Sequence, residues 1–598
     1  MKRAINIISV FLSFFPVAVF SEILKDKLPL FSLSNSIFSL MLYAGAFFLI
    51  RYALQNSNKR LAAVCVPLGL VFSVFSVCGA NVYLTESMLI AESSTMLNII
   101  GIFPLFYAVT SVLIKSLPAI NRIGFLENPR LFNSKLSAKS TFFIVWAIIF
   151  AAWLPTLLAA FPGVYGYDSV YQVSNYINNS VNSAHPPIHT YFLGFCVVTL
   201  GNLFGSNEIG MCIYSVFQML CMSAIFSALY CCFIRKRLPA LVRILILLLF
   251  MFLPINAIMS VSSTKDVIFS GLFAMSVMMM LQIAEKPDML KSKKFCAAFI
   301  LVLFAMCIFR NQGIYVLLFG VLFAFVLLRK YLKQLLAITM ITVIMFGIYQ
   351  GPVCSMISEK SPATVREMMS VPCVQLSRTM IYNDDELSDD EKKLISEYIP
   401  NYSAYSFNPG ISDIMKNCLD TDRMKKNPIE FAKLWIKVGI KCPLTYIDAF
   451  ARLTIGLWYP DMNYRDAGAY HPYWEYYSTG RLVHFDENTY LIIKQQPIKG
   501  FGWLNNFYYK LSYENSYQSV PVISMLFSSG FAVWCLLLYI AICIYRKKYR
   551  HLFPAAFITG LLLTLLLGPV VLLRYSYPII LSVPLIFASA VSFEDSRP

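Results

Sequence analysis

The feature of this sequence that most constrains its fold is a series of fifteen long apolar runs. A bilayer core of about 30 Å requires about 20 apolar residues in each crossing helix. The runs lie near 4–24, 34–54, 61–84, 95–116, 140–161, 187–205, 209–233, 239–260, 267–284, 295–309, 312–328, 331–349, 518–545, 552–573 and 575–592. Only 14% of the residues are charged, against about 25% in soluble domains. The sequence therefore predicts an α-helical polytopic membrane protein and excludes a soluble fold.

The basic residues of the short loops predict the topology, because Lys and Arg in such loops stay in the cytoplasm. If all fifteen runs crossed, the basic clusters before run 187–205 and those after run 209–233 would lie on opposite sides. One run must therefore not cross. Run 187–205 is short, begins with a proline and carries Asn202 and Gly205. We predict that it is an interfacial or re-entrant helix, which leaves about fourteen crossings with both termini and loop 117–139 in the cytoplasm.

This topology also explains the formal net charge of +17. Of the 31 basic residues outside segment 350–517, 26 then face the cytoplasm. The exceptions on the outer side are Lys25, Lys27, Lys265, Arg310 and Arg574. Segment 350–517 holds 18 basic and 20 acidic residues, so the positive excess belongs to the cytoplasmic side. The expected partner is a lipid bilayer, and nothing in the charge pattern indicates nucleic acid.

The same pattern divides the chain into three parts. Residues 1–349 form a membrane domain whose first outer loop is 162–208, residues 350–517 form a mixed, mainly helical extracytoplasmic domain, and residues 518–598 form a three-helix membrane segment. Within the extracytoplasmic domain, 387–399 and 427–456 have helical patterning. The aromatic stretch 457–477 fits either an interfacial belt or a platform for sugar rings. Four external cysteines allow up to two disulfides in three connectivities, namely Cys354, Cys373, Cys418 and Cys442.

Two groups in the first outer loop are candidates for chemistry. Asp168 follows the helix-ending pair Pro162-Gly163. It can either cap the next helix together with Ser169 or act as a carboxylate that takes a proton at the membrane boundary. His185 and His189 flank two prolines that favour the start of a helix. Their two interpretations are interfacial anchoring and substrate binding.

Three later outer loops carry cations against the positive-inside bias. The pairs are Lys265-Asp266, Arg310-Asn311 and Arg574-Tyr575. Each cation is either a snorkelling interfacial residue or part of a functional site. An anionic headgroup in the outer leaflet, such as the phosphate of a lipid-linked sugar, is the ligand that such a group of cations suits.

These residues carry a resemblance to a known superfamily. The segments PGVYGYDSVYQ, AHPPIHTYFLG, STKDVIFSG, FRNQGIYVL and LLRYSYP resemble the GT-C superfamily of membrane glycosyltransferases, and are most similar to an uncharacterised bacterial branch. The resemblance covers most of the membrane part and leaves the external domain unidentified. Many members carry two adjacent acids in the first outer loop, whereas here Ser169 follows Asp168.

The resemblance implies a function. The enzyme would move a sugar from a polyprenyl-phosphate donor to a hydroxyl on a cell-surface glycan or lipid, outside a bacterial cytoplasmic membrane. Asp168 would be the catalytic residue. The substrate-binding residues would be His185, His189, Lys265, Asp266, Arg310, Asn311, Arg574 and Tyr575, with Asp266 as a possible second acid. Some members use a divalent cation such as Mg²⁺ or Mn²⁺, but the few carboxylates of these loops favour no obligatory metal.

Two other functions stay open at this point. A lipid-linked polysaccharide polymerase or ligase also has many spans and an outer loop, but depends on external arginines instead of a first-loop acid. A flippase or exporter of lipid-linked sugars would be expected to show inverted repeats and charges at the bilayer midplane. Neither of these two features is seen in the sequence, because the ionisable residues cluster at the ends of the apolar runs.

Overall fold

The computed structural model describes residues 2–24, 37–122, 137–235, 238–360, 363–400, 402–403, 407–462, 491, 493–512, 514–520 and 523–593. Within these ranges the regular structure is helical, with no β-strand and three isolated bridges. The helices up to the middle of the chain are α1 (Lys2–Leu24), α2 (Ile37–Gln55), α3 (Lys59–Thr85), α4 (Ser93–Ser116), α5 (Ala138–Ala159), α6 (Tyr167–Ile177), α7 (Pro187–Gly194), α8 (Gly201–Leu203), α9 (Asn207–Arg235), α10 (Ala240–Phe252), α11 (Pro254–Ser260), α12 (Lys265–Glu285), α13 (Lys293–Phe309), α14 (Gln312–Leu327) and α15 (Leu332–Ile348).

The second half of the chain begins with short helices and ends with long apolar ones. They are α16 (Cys354–Ile357), α17 (Ala363–Met368), α18 (Ser370–Tyr382), α19 (Asp389–Tyr398), α20 (Asp413–Asn417), α21 (Thr421–Lys426), α22 (Pro428–Lys441), α23 (Pro443–Thr454), α24 (Gly502–Ser512), α25 (Ser529–Tyr545), α26 (Leu552–Leu566) and α27 (Leu573–Val591). A π-helical segment, Phe195–Leu200, joins α7 to α8.

Nine helices among the described residues are long and apolar enough to cross a membrane, or ten if the bent pair α10 and α11 counts as one span. The protein is thus a helical, multi-pass membrane protein. Several of the other predicted crossings correspond to helices of 16 or 17 residues, which include α13, α14 and α25. At 1.5 Å per residue these measure about 25 Å, slightly less than the bilayer core. The total of fourteen crossings therefore stays a prediction.

Helices α12 and α27 form the centre of the bundle. In the most apolar window of each, 78% of the residues are buried, against 22% in α1 and in the segment that contains α15. The two central helices also pack against each other. Because a membrane helix that is buried on all sides has no lipid-facing stripe, α12 and α27 are the natural scaffold for residues that must be held rigidly.

The loops separate into two groups that lie at opposite ends of the bundle. At the end predicted to be cytoplasmic, Lys115 Nζ donates to Asn56 O (2.5 Å) and Arg60 donates to Ile544 O (3.3 Å). At the other end, the loop after α5 is bonded to the loop before α12, with Val164 N donating to Val261 O (2.9 Å). Most of the basic loop 117–139, together with Lys25 and Lys27, lies outside the described residues.

The polar segment has a hydrophobic core of its own, built from residues between Cys373 and Tyr446. It contacts the outer ends of the spans: Asp448 accepts from Met88 N (2.8 Å), and Ser412 N donates to Pro569 O (2.8 Å). Cys354, Cys373, Cys418 and Cys442 are all free thiols, so none of the three possible connectivities is formed.

Several predicted helices need correction at their ends. The pattern over 387–399 is confirmed by α19, which begins with a capping box between Ser388 and Glu391. The pattern over 427–456 is two helices, α22 and α23, because Pro443 starts a new helix at its first position. The run 518–545 is α-helical only from Ser529, where Ser528 caps α25, and a short 3-10 helix, Ser524–Phe527, precedes it. In the aromatic stretch, Tyr459 is buried in the largest hydrophobic core of the helix bundle. Residues 463–477 lie outside the described residues.

Candidate functional site

The first outer loop is fixed to the loop that precedes α12. Ser263 N donates to Val164 O (2.9 Å), and the hydroxyls of Ser169 and Ser263 lie 2.7 Å apart. Gly163 makes this approach feasible: its φ is +138°, and a Cβ there would overlap the hydroxyl of Ser215. The docked loop starts α6 directly beside the first turn of α12. Asp168 on α6 and Lys265 on α12 are thereby brought together.

Asp168, Lys265 and His185 form one hydrogen-bonded group. Lys265 Nζ donates to Asp168 Oδ2 at 2.8 Å and to His185 Nδ1 at 2.9 Å. The side chains of Lys265 and Asp168 are only 13% and 18% exposed. The ammonium therefore bridges the acid and the histidine of the first loop.

Asp266 and two arginines form a second group next to the first. Arg310 Nη1 lies 2.7 Å from Asp266 Oδ1, and the Asp266 side chain is fully buried. Arg574 joins the two groups, because its Nη1 lies 3.7 Å from Asp168 Oδ2 and its Nε lies 3.7 Å from Asp266 Oδ2. The guanidinium carbons of Arg310 and Arg574 lie 4.5 and 4.9 Å from the centre of the Tyr575 ring. The ring thus packs against both arginines.

The charges of this cluster leave an excess of one positive charge. Burial alone would raise the pKa of the Asp168 carboxyl, but Lys265, Arg574 and His185 outweigh it and hold that pKa well below its usual range. Burial and the Lys265 ammonium lower the pKa of His185 to about 4, so this ring is neutral at pH 7. Three cations and two carboxylates then remain.

The N-termini of three helices add partial positive charge to this cluster. Asp168, Lys265 and Arg574 all lie in the first turn of their helices, α6, α12 and α27. The first turn of a helix carries a partial positive charge and free N–H groups, which favour anions and disfavour cations. Lys265 and Arg574 therefore lie where a helix disfavours cations, and the carboxylates of Asp168 and Asp266 lie beside them there.

Comparison with known proteins identifies a family. Residues 178–596 match the model of DUF6020, a family of unknown function. The chain belongs to this family. No curated protein and no solved structure matches it. The matched region of this DUF6020 protein includes His185, Lys265, Asp266, Arg310 and Arg574, and begins ten residues after Asp168.

The structure excludes one of the two alternatives for Asp168 and places two other predicted residues, His189 and Asn311, outside the charged cluster. Asp168 does not cap α6, whose N-cap is Gly166 with no side-chain bond. His189 is buried, and its ring nitrogens lie 3.2 Å from Gln172 Oε1 and 2.8 Å from the Tyr214 hydroxyl. It is therefore engaged inside the protein and does not contact the charged cluster. Asn311 is exposed and makes no capping bond, so it does not join the cluster either.

The sequence analysis did not find the residues that contact the loops and side chains of the charged cluster. They are Gln172, Tyr214, Gln218, Ser263 and Phe269; the ring centre of Phe269 lies 5.8 Å from the Arg310 guanidinium carbon. Only Gln218 could have been found from the sequence, because an amide inside an apolar run must form a hydrogen bond with a buried partner. The others are ordinary residues of helices and loops until the fold brings them together.

A divalent cation has no evident ligand set here. Among the described residues, no three His, Cys, Asp or Glu side chains are grouped so that they could hold a metal ion. Both carboxylates of the cluster already pair with Lys265, Arg310 or Arg574.

Proposed function

We propose that this protein is a membrane glycosyltransferase of the GT-C type. It moves a sugar from a polyprenyl-phosphate donor to a hydroxyl of a cell-surface glycan or lipid, at the outer face of a bacterial cytoplasmic membrane. One observation carries this proposal: the three cations that break the positive-inside bias, Lys265, Arg310 and Arg574, come from three separate loops and converge on two acids, one of them Asp168.

The phosphate of the donor supplies the anion that the cluster favours. A sugar linked to a lipid through one phosphate is a phosphodiester with a single negative charge, which balances the excess of one positive charge. When the glycosidic bond breaks, the leaving lipid phosphate gains a second negative charge. Lys265, Arg310 and Arg574 then stabilise the leaving group more strongly than the intact donor, which is the condition for catalysis by binding.

In the proposed reaction, the acceptor hydroxyl attacks the anomeric carbon from the side opposite the phosphate. The new bond joins the acceptor oxygen to this carbon, the bond from the carbon to the phosphate oxygen breaks, and the configuration inverts. The proton of the hydroxyl passes to the carboxylate of Asp168. In the resting site the adjacent cations make this carboxylate a weak base. A bound phosphate draws Lys265 and Arg574 towards itself, which raises the pKa of Asp168 and strengthens it as a base.

The external segment adjoins this site at two places. Glu359 exchanges backbone hydrogen bonds with the first outer loop, with Ser183 N donating to Glu359 O (2.8 Å) and Glu359 N donating to Val181 O (2.9 Å). The second contact, from Ser412 N to Pro569 O, lies just before Arg574 on the loop that leads into α27. These contacts favour a role for the external segment in receiving the acceptor.

Donor consumption tests the proposal. Purified protein incubated with a panel of polyprenyl-phosphate sugars and hydroxyl acceptors is expected to release polyprenyl phosphate, which mass spectrometry detects. The Asp168→Asn variant serves as the matched blank. Movement of intact donor across liposomes without its consumption would instead identify a flippase. Chain growth from preassembled lipid-linked oligosaccharides, unaffected by Asp168→Asn, would identify a polymerase or ligase.

We further propose fourteen crossings, with helix Pro187–Leu203 lying in the outer interface or re-entering from the outer side. In a cysteine-free background, Ala184→Cys lies before this helix and Asn202→Cys lies in its last turn, and both positions are exposed. A membrane-impermeant maleimide is expected to label both from outside the cell. Lys293→Cys, at the predicted cytoplasmic end of α13, is the control that should stay unlabelled. Labelling of positions 184 and 202 from opposite sides would show that the helix crosses.

A further inference from the structure

Gln218 is a buried amide on α9 that contacts the loop leading into the site. Its Nε2 lies 2.7 Å from Ser262 O, 3.0 Å from Ser260 O and 3.3 Å from Met259 O. The side chain is 1% exposed. A single amide group therefore lies within hydrogen-bond distance of three carbonyls in the segment that ends at the N-cap of α12.

A hydrogen-bonded chain fixes the amide in turn. Tyr214 donates its hydroxyl hydrogen to Gln218 Oε1 (3.0 Å), and His189 Nε2 lies 2.8 Å from the same hydroxyl. His189 Nδ1 lies 3.2 Å from Gln172 Oε1, and Gln172 Nε2 donates to Thr190 Oγ1 (2.9 Å). Because the Gln218 oxygen is engaged by Tyr214, its nitrogen must face the carbonyls. The chain thus connects α6, α7 and α9 to one loop.

That loop is bonded to the segment that carries Asp168, and it leads into Lys265. Ser263 bonds to Val164 and Ser169 on the Asp168 side, and the same loop continues directly into Lys265 at the start of α12. A shift of the loop would therefore change the distance between the acid and the ammonium. A change of about 1 Å in such a geometry costs up to about 10²-fold in rate.

We propose that Gln218 is a positioning residue. It holds the end of α11 and the loop after it, residues 259–263, so that Asp168 and Lys265 meet in the reactive arrangement, and His189 and Tyr214 orient its amide. The effect on rate rests on the proposed glycosyltransferase function. The effect on the loop does not, and it can be measured without any substrate.

The first test is hydrogen–deuterium exchange of the amides of Val164 and Ser263, which bond to Val261 O and Val164 O. Gln218→Met keeps the shape of the side chain and removes its amide group. We expect faster exchange at these two amides. Gln375→Met is the matched control, because Gln375 is another buried glutamine that donates to a backbone carbonyl, Tyr446 O (3.1 Å), in the external segment. It should leave both amides unchanged.

The second test is kinetic and uses the same variants. Gln218→Met should lower kcat about 10- to 100-fold with little change in the donor KM, since the phosphate contacts of Arg310 and Arg574 remain. Gln218→Glu adds a pH signature. When the introduced carboxyl is protonated, it can still accept from Tyr214 and can donate one hydrogen bond to a carbonyl. When it is ionised, its negative charge faces three carbonyl oxygens, which repel it. Its activity relative to wild type should therefore fall as pH rises.

The outcomes separate this inference from the proposed function. Wild-type exchange at Val164 and Ser263 in Gln218→Met would overturn the positioning role, whatever the activity. Faster exchange in a protein that consumes no donor would leave the loop contact intact and reject the glycosyltransferase. Should Gln218→Met fail to fold, Gln218→Glu decides, because a relative activity independent of pH would contradict the amide's role as donor.

Discussion

Asp168→Asn is expected to lower the kcat of sugar transfer by about 10²–10⁴-fold, the usual contribution of a general base. The amide oxygen of Asn can still accept the hydrogen bond from Lys265, but Asn cannot take a proton from the acceptor. Neutralising this carboxylate also raises the charge excess of the cluster from one to two. The donor KM should therefore stay the same or fall. A loss of kcat without a rise in KM separates a lost base from a damaged binding site.

Asp448→Asn is the matched control for this substitution. Asp448 is also a carboxylate at the outer end of the bundle, but its oxygen accepts a backbone hydrogen bond from Met88 N (2.8 Å), which Asn can accept equally well. Its activity should match wild type. Both variants are assayed for activity and for thermal unfolding temperature, so that a loss of catalysis can be separated from a loss of folding. Wild-type turnover by Asp168→Asn would refute the proposed mechanism.

The cluster itself was predictable from the sequence to a large extent. Lys265, Arg310 and Arg574 stand out because the positive-inside rule leaves them unexplained, and Asp168 stands out in a loop with few other charges. The sequence does not predict which of these residues pair with each other. That Arg310 pairs with Asp266, and that Arg574 lies between both acids, depends on how α12, α13 and α27 pack. Hydropathy alone contains no such information.

The differences between the sequence pattern and the structure have identifiable physical causes. The apolar spacing of run 518–545 and the helical patterning of segment 427–456 both continue across a helix boundary. The breaks come from local groups instead, namely the Ser528 cap and Pro443 at the first position of α23. The burial of His189 could not be predicted either. His185 lies in the loop before α7 and reaches Lys265, whereas His189 lies in the first turn of α7 and meets Tyr214 of α9, a contact that depends on how α7 and α9 pack.

The second large effect is expected at the Arg310–Asp266 pair. Arg310→Ala leaves the fully buried Asp266 carboxylate with only Arg574 and the Thr264 hydroxyl (3.1 Å) as partners. Breaking a buried ion pair on one side costs about 3–5 kcal/mol of unfolding free energy. The single variant should therefore unfold at a clearly lower temperature. Its loss of activity would not by itself reveal a contact with the donor.

The double variant Arg310→Met with Asp266→Asn removes this ambiguity. It takes away one positive and one negative charge, so the excess of one positive charge is unchanged. Methionine also keeps an apolar stem against Phe269 and Tyr575, whose rings lie 5.8 and 4.5 Å from the Arg310 guanidinium carbon. Replacing both members of a buried pair usually recovers most of the lost stability. The thermal unfolding temperature should therefore return close to that of wild type.

Donor kinetics of this stable double variant then test the phosphate contact directly. If Arg310 contacts the phosphate, one charge-assisted contact is missing, which costs about 2–4 kcal/mol in the transition state. This corresponds to a fall of roughly 30- to 1,000-fold in kcat/KM, with a higher donor KM and a lower kcat. Arg574→Ala should fall in the same range, since the phosphate loses one of its other cations. Wild-type kinetics in the double variant would instead assign Arg310 to a purely structural pairing with Asp266, because the net charge of the site alone would then be sufficient to hold the donor.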